Sequence, residues 1–268
     1  MSKKLSIVTI NYNNLPGLKK TVESVLSQTC RDFEYIIMDG GSTDGSAEYL
    51  QERSGEFDYW VSERDAGIYN AMNKGLYKSS GEFLYFLNSG DLLFSKDVIA
   101  KANSIITEGG IYFFDFVIDY ANGKNELIKN TEPLTLCSIL GRERHFCHQA
   151  IIMSKDAILK AGGQFDESLK FISDWKMIAI SIIKNESKVF FSSIVISVYD
   201  GTGVSMSKAN NQLLHAEHDR VLKSSFPLYY NDVSRLNKMH VSFSELFNSK
   251  MIKLFFRVRK FILGIVPH

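Results

Sequence analysis

No stretch of this 268-residue chain approaches the roughly 20 consecutive apolar residues that a membrane-spanning helix needs. A disulfide framework is missing too. Cys30, Cys137 and Cys147 are odd in number and irregularly spaced, which points to a reducing compartment. Charge of one sign is absent: 31 basic and 30 acidic residues leave a net +1, so nothing global suits nucleic acid. There is no signal peptide pattern. The apolar run after Lys3 and Lys4, LSIVTI, is too short for a secretory h-region, and no small-residue cleavage site follows it. Internal repeats and low-complexity linkers are also lacking. What is present is a 45% hydrophobic composition, enough for a substantial core. The length suits one large domain, or a domain with a helical appendage, in the cytoplasm.

Periodicity then orders the chain. LSIVTI (5–10) is rich in β-branched residues and reads as a buried strand. Pro16 opens a helix, where its missing N–H costs nothing. FEYIIMD (33–39) is predicted as a second strand, 46–53 as a helix and 57–61 as a third strand. Residues 66–79 are predicted as a helix capped by Asp65. FLYFLN (83–88) follows as a strand, 95–107 as a helix and IYFFDFVI (111–118) as a fifth strand. This alternation predicts an α/β domain with a mostly parallel sheet. Beyond 120 the rhythm changes. A hairpin turn is predicted at 122–126, a helix at 154–162 stopped by glycine, a helix from about Asp174, a long strand over 187–200, and helix from about 208.

Ligands of parallel α/β sheets sit beyond the carboxyl ends of the strands. That rule gathers Thr9 and Asn11, Asp39, Asp65 and Asp91 at one edge. Carboxylates so placed suit a nucleobase N–H or a divalent cation on a diphosphate, although each alone equally suits a helix cap or turn. The loop GGSTDG (40–45) is neither a dinucleotide fingerprint nor a P-loop, which disfavours hydride transfer and ATP hydrolysis. His145, Cys147 and His148 lack the second ligand pair of a zinc site.

SIVTINYNN, MDGGSTDGS, SERDAGIYNAMNKG and FLYFLNSGD, in that order, resemble the motifs of a family 2 glycosyltransferase with the GT-A fold. The resemblance is close over about the first 100 residues and looser through HQAIIM, FDESLKFISDW and GTGVS. Within the family it is similar to enzymes of bacterial capsule, exopolysaccharide and O-antigen assembly. It implies a Rossmann-like, mostly parallel sheet flanked by helices, with a C-terminal helical extension. It also implies inverting transfer from a nucleotide-sugar, UDP-linked, to a saccharide or polyprenyl-diphosphate-linked acceptor.

The resemblance assigns roles residue by residue. Thr9, Asn11, Asp39 and Asp65 fall on the nucleotide side. Lys74 either reaches phosphate or is a solvated surface lysine. Asp174, in S-D-W, matches the catalytic base. His148 and Gln149 fall on the acceptor side, and Trp175 either stacks on a sugar or packs in the core. The family's D-x-D after strand four is reduced here to Asn88-Ser89-Gly90-Asp91. Two readings stay open: Asp91 ligates Mn²⁺ or Mg²⁺ with help from the donor diphosphate, or metal is weak and Asn88 meets the donor as a neutral group. Gly201, Gly203 and Ser205 suit either a loop closing over phosphates or an ordinary turn.

Domain limits are predicted at 1–207, with a nucleotide-binding half (1–100) and an acceptor-side half (101–207), and at 208–268 for the extension. On a helical wheel, Met251, Leu254, Phe255, Val258, Phe261, Ile262 and Ile265 share one face, and Lys250, Lys253, Arg257 and Lys260 the other. Such a tail, 250–266, suits the anionic inner face of the cell membrane, or else packs on its own domain. A nucleotidyltransferase and a non-catalytic sugar-nucleotide binder are the rival functions. An Asp174 turned into the core, away from the strand ends, would favour the latter.

Overall fold

The computed structural model describes residues 3–120, 122–130, 134–141, 146–202 and 210–248. The basic tail 250–266, His145, Gly203 and Ser205 lie outside the described residues. The chain divides into two compact units, Met1–Pro133 with His145–His218, and Leu134–Arg144 with Asp219–His268.

The first unit begins with β1 (Leu5–Asn11), α1 (Leu15–Leu26), β2 (Phe33–Asp39), α2 (Ser46–Glu52) and β3 (Tyr59–Ser62). Next come α3 (Ile68–Lys78), β4 (Phe83–Phe86), β5 (Leu92–Leu93), α4 (Val98–Ile105), β6 (Ile111–Asp119) and β7 (Asn125–Ile128). The second unit holds α5 (Leu136–Leu140), whose Thr135 and Ser138 form a reciprocal capping box. The remaining elements are β8 (Ile151–Ser154), α6 (Lys155–Lys160), α7 (Ser173–Ile183), β9 (Val189–Asp200), α8 (Asn211–Ser225) and α9 (Tyr230–Asn248).

The strands form one sheet in the order β3-β2-β1-β4-β8-β6-β9-β5, with β7 off this path, pairing the later part of β6. β1 is buried at every residue, as a near-continuous apolar run in the middle of a parallel sheet should be. It pairs in parallel with β2 and β4, and β2 with β3. The long β6–β9 ladder is parallel as well. Short antiparallel pairings involve β8, between β4 and β6, and the edge strands β5 and β7. β8 was not legible as a strand. Its four residues follow a 3-10 turn directly, which leaves no room for the crossover helix a parallel strand requires.

Local chemistry fixes the helices. Asn14 caps α1 by accepting from Gly17 N at 3.1 Å, and Pro16 occupies the first turn. Leu18, Val22 and Val25 of α1 join Ile7, Tyr35, Ile37 and Tyr85 of the sheet in the main core. Each fully buried side chain of this size contributes roughly 1.5–3 kcal/mol. α3 lies close on the sheet: a Cβ at Gly75 would meet Val8 Cγ1 at 2.4 Å. The expected cap of α3 needs correction. The cap position is Gly67, and Asp65 stands two residues earlier, accepting from Gly67 N at 2.9 Å.

Candidate active site

Parallel register brings Asn11, Asp39 and Ser62 side by side at the carboxyl edge. Asp39 is 2% exposed. Its Oδ1 accepts from Asn11 Nδ2 (2.7 Å) and Ser42 Oγ (2.6 Å), and its Oδ2 from Ser42 N (2.9 Å) and Ser62 Oγ (2.5 Å). All four acceptor positions of the carboxylate are thus taken within the protein. Thr9 is fully buried, its hydroxyl 3.2 Å from Tyr35 Oη. Thr9, Asn11 and Asp39 therefore build the floor of this edge rather than its surface.

The surface is supplied by Tyr12, 67% exposed, and by Asp65. A Cβ at Gly40 would lie 2.5 Å from Asp65 Oδ2 and 3.2 Å from Tyr12 Cδ2, so glycine here lets ring and carboxylate close over the backbone. Tyr12 was missed in the sequence, where the only signal is one aromatic residue inside a polar loop. Lys74 is turned to the loop after β3, pairing with Glu63 (2.8 Å) and donating to Arg64 O (3.1 Å).

At the end of β4 the chain turns inward. Gly90 has φ +106°, and its N–H donates to Thr21 Oγ1 at 2.9 Å. Asp91 is 3% exposed. Its Oδ2 accepts from Gln149 Nε2 (2.8 Å) and its Oδ1 from Asp200 N (2.9 Å). Burial pushes this carboxyl up to about 6, against the pull of those two donors. Gln149 Oε1 accepts in turn from Cys147 Sγ at 2.9 Å. Burial, then the Asp91 charge, raises the Cys147 thiol. Two expectations are corrected on this geometry. Asp91 presents no open carboxylate to a cation at the surface, and Gln149 faces the interior rather than an acceptor. Beyond its chain neighbours, Gly90 lies close to Asp200, whose Oδ2 would be 3.2 Å from a Cβ there. Among the described residues no group of three His, Cys, Asp or Glu side chains is placed to hold a metal ion, a zinc set included.

Asp174 stands in the first turn of α7. Its Oδ1 accepts from Tyr69 Oη (3.0 Å) and Trp175 N (2.9 Å), and its Oδ2 lies 2.9 Å from His148 Nδ1. His148 Nε2 is 3.0 Å from Asn88 Nδ2. The His148 and Asp174 side chains are 16% and 13% exposed. Burial, then the Asp174 charge, raises the Tyr69 phenol well above its usual value. A small cavity of about 20 Å³ adjoins the pair, walled by Leu84, Phe86, Phe165 and Ile178. Trp175 is buried, its ring 4.5 Å from that of His218. Its role in this placement is packing, and the sugar-stacking reading is not met.

α3 holds the segment that leads to Asp174. Asn73 Oδ1 accepts from Phe165 N (2.7 Å), and its Nδ2 donates to Phe165 O (3.0 Å) and Glu167 Oε1 (2.7 Å). Tyr69 and Asn73, one helical turn apart, thus both serve the approach to α7. Neither was singled out in the sequence.

The sequence profile of Glycosyl transferase family 2 matches residues 6–160. The uncharacterized glycosyltransferase Rv1514c of Mycobacterium tuberculosis is 33% identical over 203 residues, 75% of this chain and 76% of that one. The chain belongs to glycosyl transferase family 2. The solved structure of S. aureus TarS 1-349 in complex with UDP-GlcNAc matches with a TM-score of 0.60 at 17% identity, over 85% of this chain and 73% of that one. The chain spans 43% of the longer TarS structure. The mannosyltransferase PcManGT of Pyrobaculum calidifontis, in complex with GDP-Man and Mn²⁺, matches with a TM-score of 0.57 at 13% identity, over 95% and 83%. The fold is therefore the expected GT-A arrangement, and the protein is a glycosyltransferase.

In this family 2 glycosyltransferase the structure brings Asn88, His148 and Asp174 together at one end of β4. Asn11 and Asp39 stand together at the end of the next strands, with Asp65 above Gly40. Asp91 and Gln149 form a third, buried group. Asp174 is not turned away from the strand ends, so the geometry that would favour a non-catalytic binder is absent.

Proposed function

We propose that the protein moves a sugar from a nucleotide-sugar, UDP-linked, to a saccharide or polyprenyl-diphosphate-linked acceptor, with inversion, in bacterial surface polysaccharide assembly. The observation that carries this reading is the constellation around Asp174: a carboxylate partly open to solvent, oriented by three neighbours, in the first turn of α7. The TarS complex with UDP-GlcNAc supports the choice of donor. The acceptor oxygen attacks the anomeric carbon with an electron pair as its O–H bond breaks and the proton passes to Asp174. The bond from the anomeric carbon to the diphosphate oxygen breaks, and the pair leaves with the diphosphate. A single displacement from the face opposite the leaving group inverts the centre.

The nucleobase lies against Tyr12, over Gly40 and beside Asp65, on the floor formed by Thr9, Asn11 and Asp39. A Mn²⁺ or Mg²⁺ ion was expected at Asp91, and PcManGT binds Mn²⁺. The residues present do not fit an ion held by this chain alone. Asp91 is spent on Gln149 and Asp200 N, and Gly90 offers no side chain. Asp200 Oδ2 is a single oxygen at that place. No described helix is long and apolar enough to cross a membrane. The tail 250–266 is proposed to hold the enzyme peripherally on the inner face of the membrane.

The test is UDP release from UDP-sugars in the presence of polyprenyl-diphosphate-linked saccharides. Asp174→Asn should lower release by roughly 100-fold or more. Equal release from the variant would end Asp174's part as base.

A further inference from the structure

The strand-four motif places an amide, Asn88, where the family resemblance implies an acid. Its environment gives a reason that has nothing to do with the donor. Asn88 Nδ2 is 3.0 Å from His148 Nε2, and His148 Nδ1 is 2.9 Å from Asp174 Oδ2. A neutral imidazole carries one N–H. The carboxylate can only accept, so that proton stands on Nδ1. The lone pair of Nε2 then accepts from the Asn88 amide. The three side chains form a chain of donors running one way, and Asn88 Oδ1 is left buried without a hydrogen-bond partner among the described residues.

We propose that Asn88 and His148 are positioning residues for the catalytic base Asp174: Asn88 keeps His148 Nε2 unprotonated, and His148 Nδ1–H aims the Asp174 carboxylate. This rests on the reading of Asp174 as base. A carboxylate has about four acceptor positions. Tyr69 Oη and Trp175 N occupy the two on Oδ1, and His148 one on Oδ2. The remaining position on Oδ2 receives the acceptor's proton. An acid at position 88 would act oppositely. It would draw a second proton onto His148 and leave an imidazolium between two carboxylates, and that cation makes Asp174 a poorer proton acceptor. The amide at 88 is thus what a base positioned by a neutral histidine requires. The titratable groups that face His148 are Asp174, then Asp91 across the Gln149 amide, with Tyr69 and Cys147 behind them. The apolar cavity beside the pair limits competing water, so each bond of the chain tells more strongly.

The experiment is long-range ¹H–¹⁵N correlation on histidine-labelled full-length protein, with His148 assigned from the spectrum of His148→Asn. It is run with calorimetric titration of UDP. In the wild type at about pH 8, His148 should show the Nδ1–H tautomer. In Asn88→Asp its titration should move up by about one pH unit or more, while UDP affinity changes less than about twofold. A wild-type Nε2–H tautomer would overturn the proposal, and that reading needs no variant to fold. So would an Asn88→Asp protein that binds UDP at least about tenfold more weakly while His148 is unmoved, since Asn88 would then belong to the donor. Absence of UDP binding by the wild type would instead count against the donor reading, whatever tautomer His148 shows.

Discussion

The phenol of Tyr69 donates to Asp174 Oδ1 across 3.0 Å, joining α3 to the first turn of α7 over 105 residues of sequence. A hydrogen bond to a charged group of this kind is worth about 1.5–3 kcal/mol. Tyr69→Phe should therefore lower kcat roughly tenfold with KM for the donor little changed. Steady-state kinetics on UDP-sugars checks this. A rise in KM at constant kcat would place Tyr69 with binding instead.

Asp91 gives a pH dependence with a definite sign. Its folded-state carboxyl is raised from 3.8 to about 6, so its contribution to stability is fully present below the unfolded value and is lost as pH rises through 6. Relative to Asp91→Asn, the wild type should lose roughly 2 kcal/mol between about pH 4 and pH 7. Urea unfolding of both proteins at these two ends measures the difference. Parallel pH curves would contradict the buried placement.

Gly75 is a packing constraint. Alanine at this position gains about 1 kcal/mol of helix propensity, but overpacking typically costs 1–3 kcal/mol. The added Cβ meets Val8, which is fully buried in the central strand and has nowhere to move. Gly75→Ala should be net destabilising by up to about 2 kcal/mol, and Val8→Ala in the same chain should remove most of that coupling. Chemical denaturation of the two single variants and the double variant is the measurement.

Tyr12 is exposed and holds no core contact in place, so its loss should spare the fold. If it stacks on the nucleobase, Tyr12→Ala should weaken UDP binding by roughly tenfold with an unchanged denaturation midpoint. Unaltered affinity would move the base elsewhere.

The first half of the fold was legible because its signals are local. FEYIIMD, apolar at 33 and 35–38 and bounded by loops, forms β2 over the same residues, Phe33–Asp39. Pro16 marks the start of α1 in the sequence itself. β8 was hidden because three apolar residues and a serine after a turn have no period to read. The site was legible as a set of strand ends, since the parallel register follows from the alternation of elements. Which side chains face one another was not. Asp91 meets Gln149 across 58 residues and Asn73 meets Phe165 across 92, and no local pattern encodes either pairing. Trp175 and Gln149 looked available because sequence shows residue type but not direction, and both point into the core.

The most direct measurement is calorimetric titration of UDP, with GDP as control, into the wild type and Asp174→Asn, each with and without Mn²⁺. The wild type should bind UDP in preference to GDP, and Asp174→Asn should bind it within about twofold of the wild type, because Asp174 serves the acceptor proton and not the nucleotide. A wild type that binds neither nucleotide, or an Asp174→Asn protein that folds but no longer binds UDP, would contradict a nucleotide-sugar transferase with Asp174 as its base.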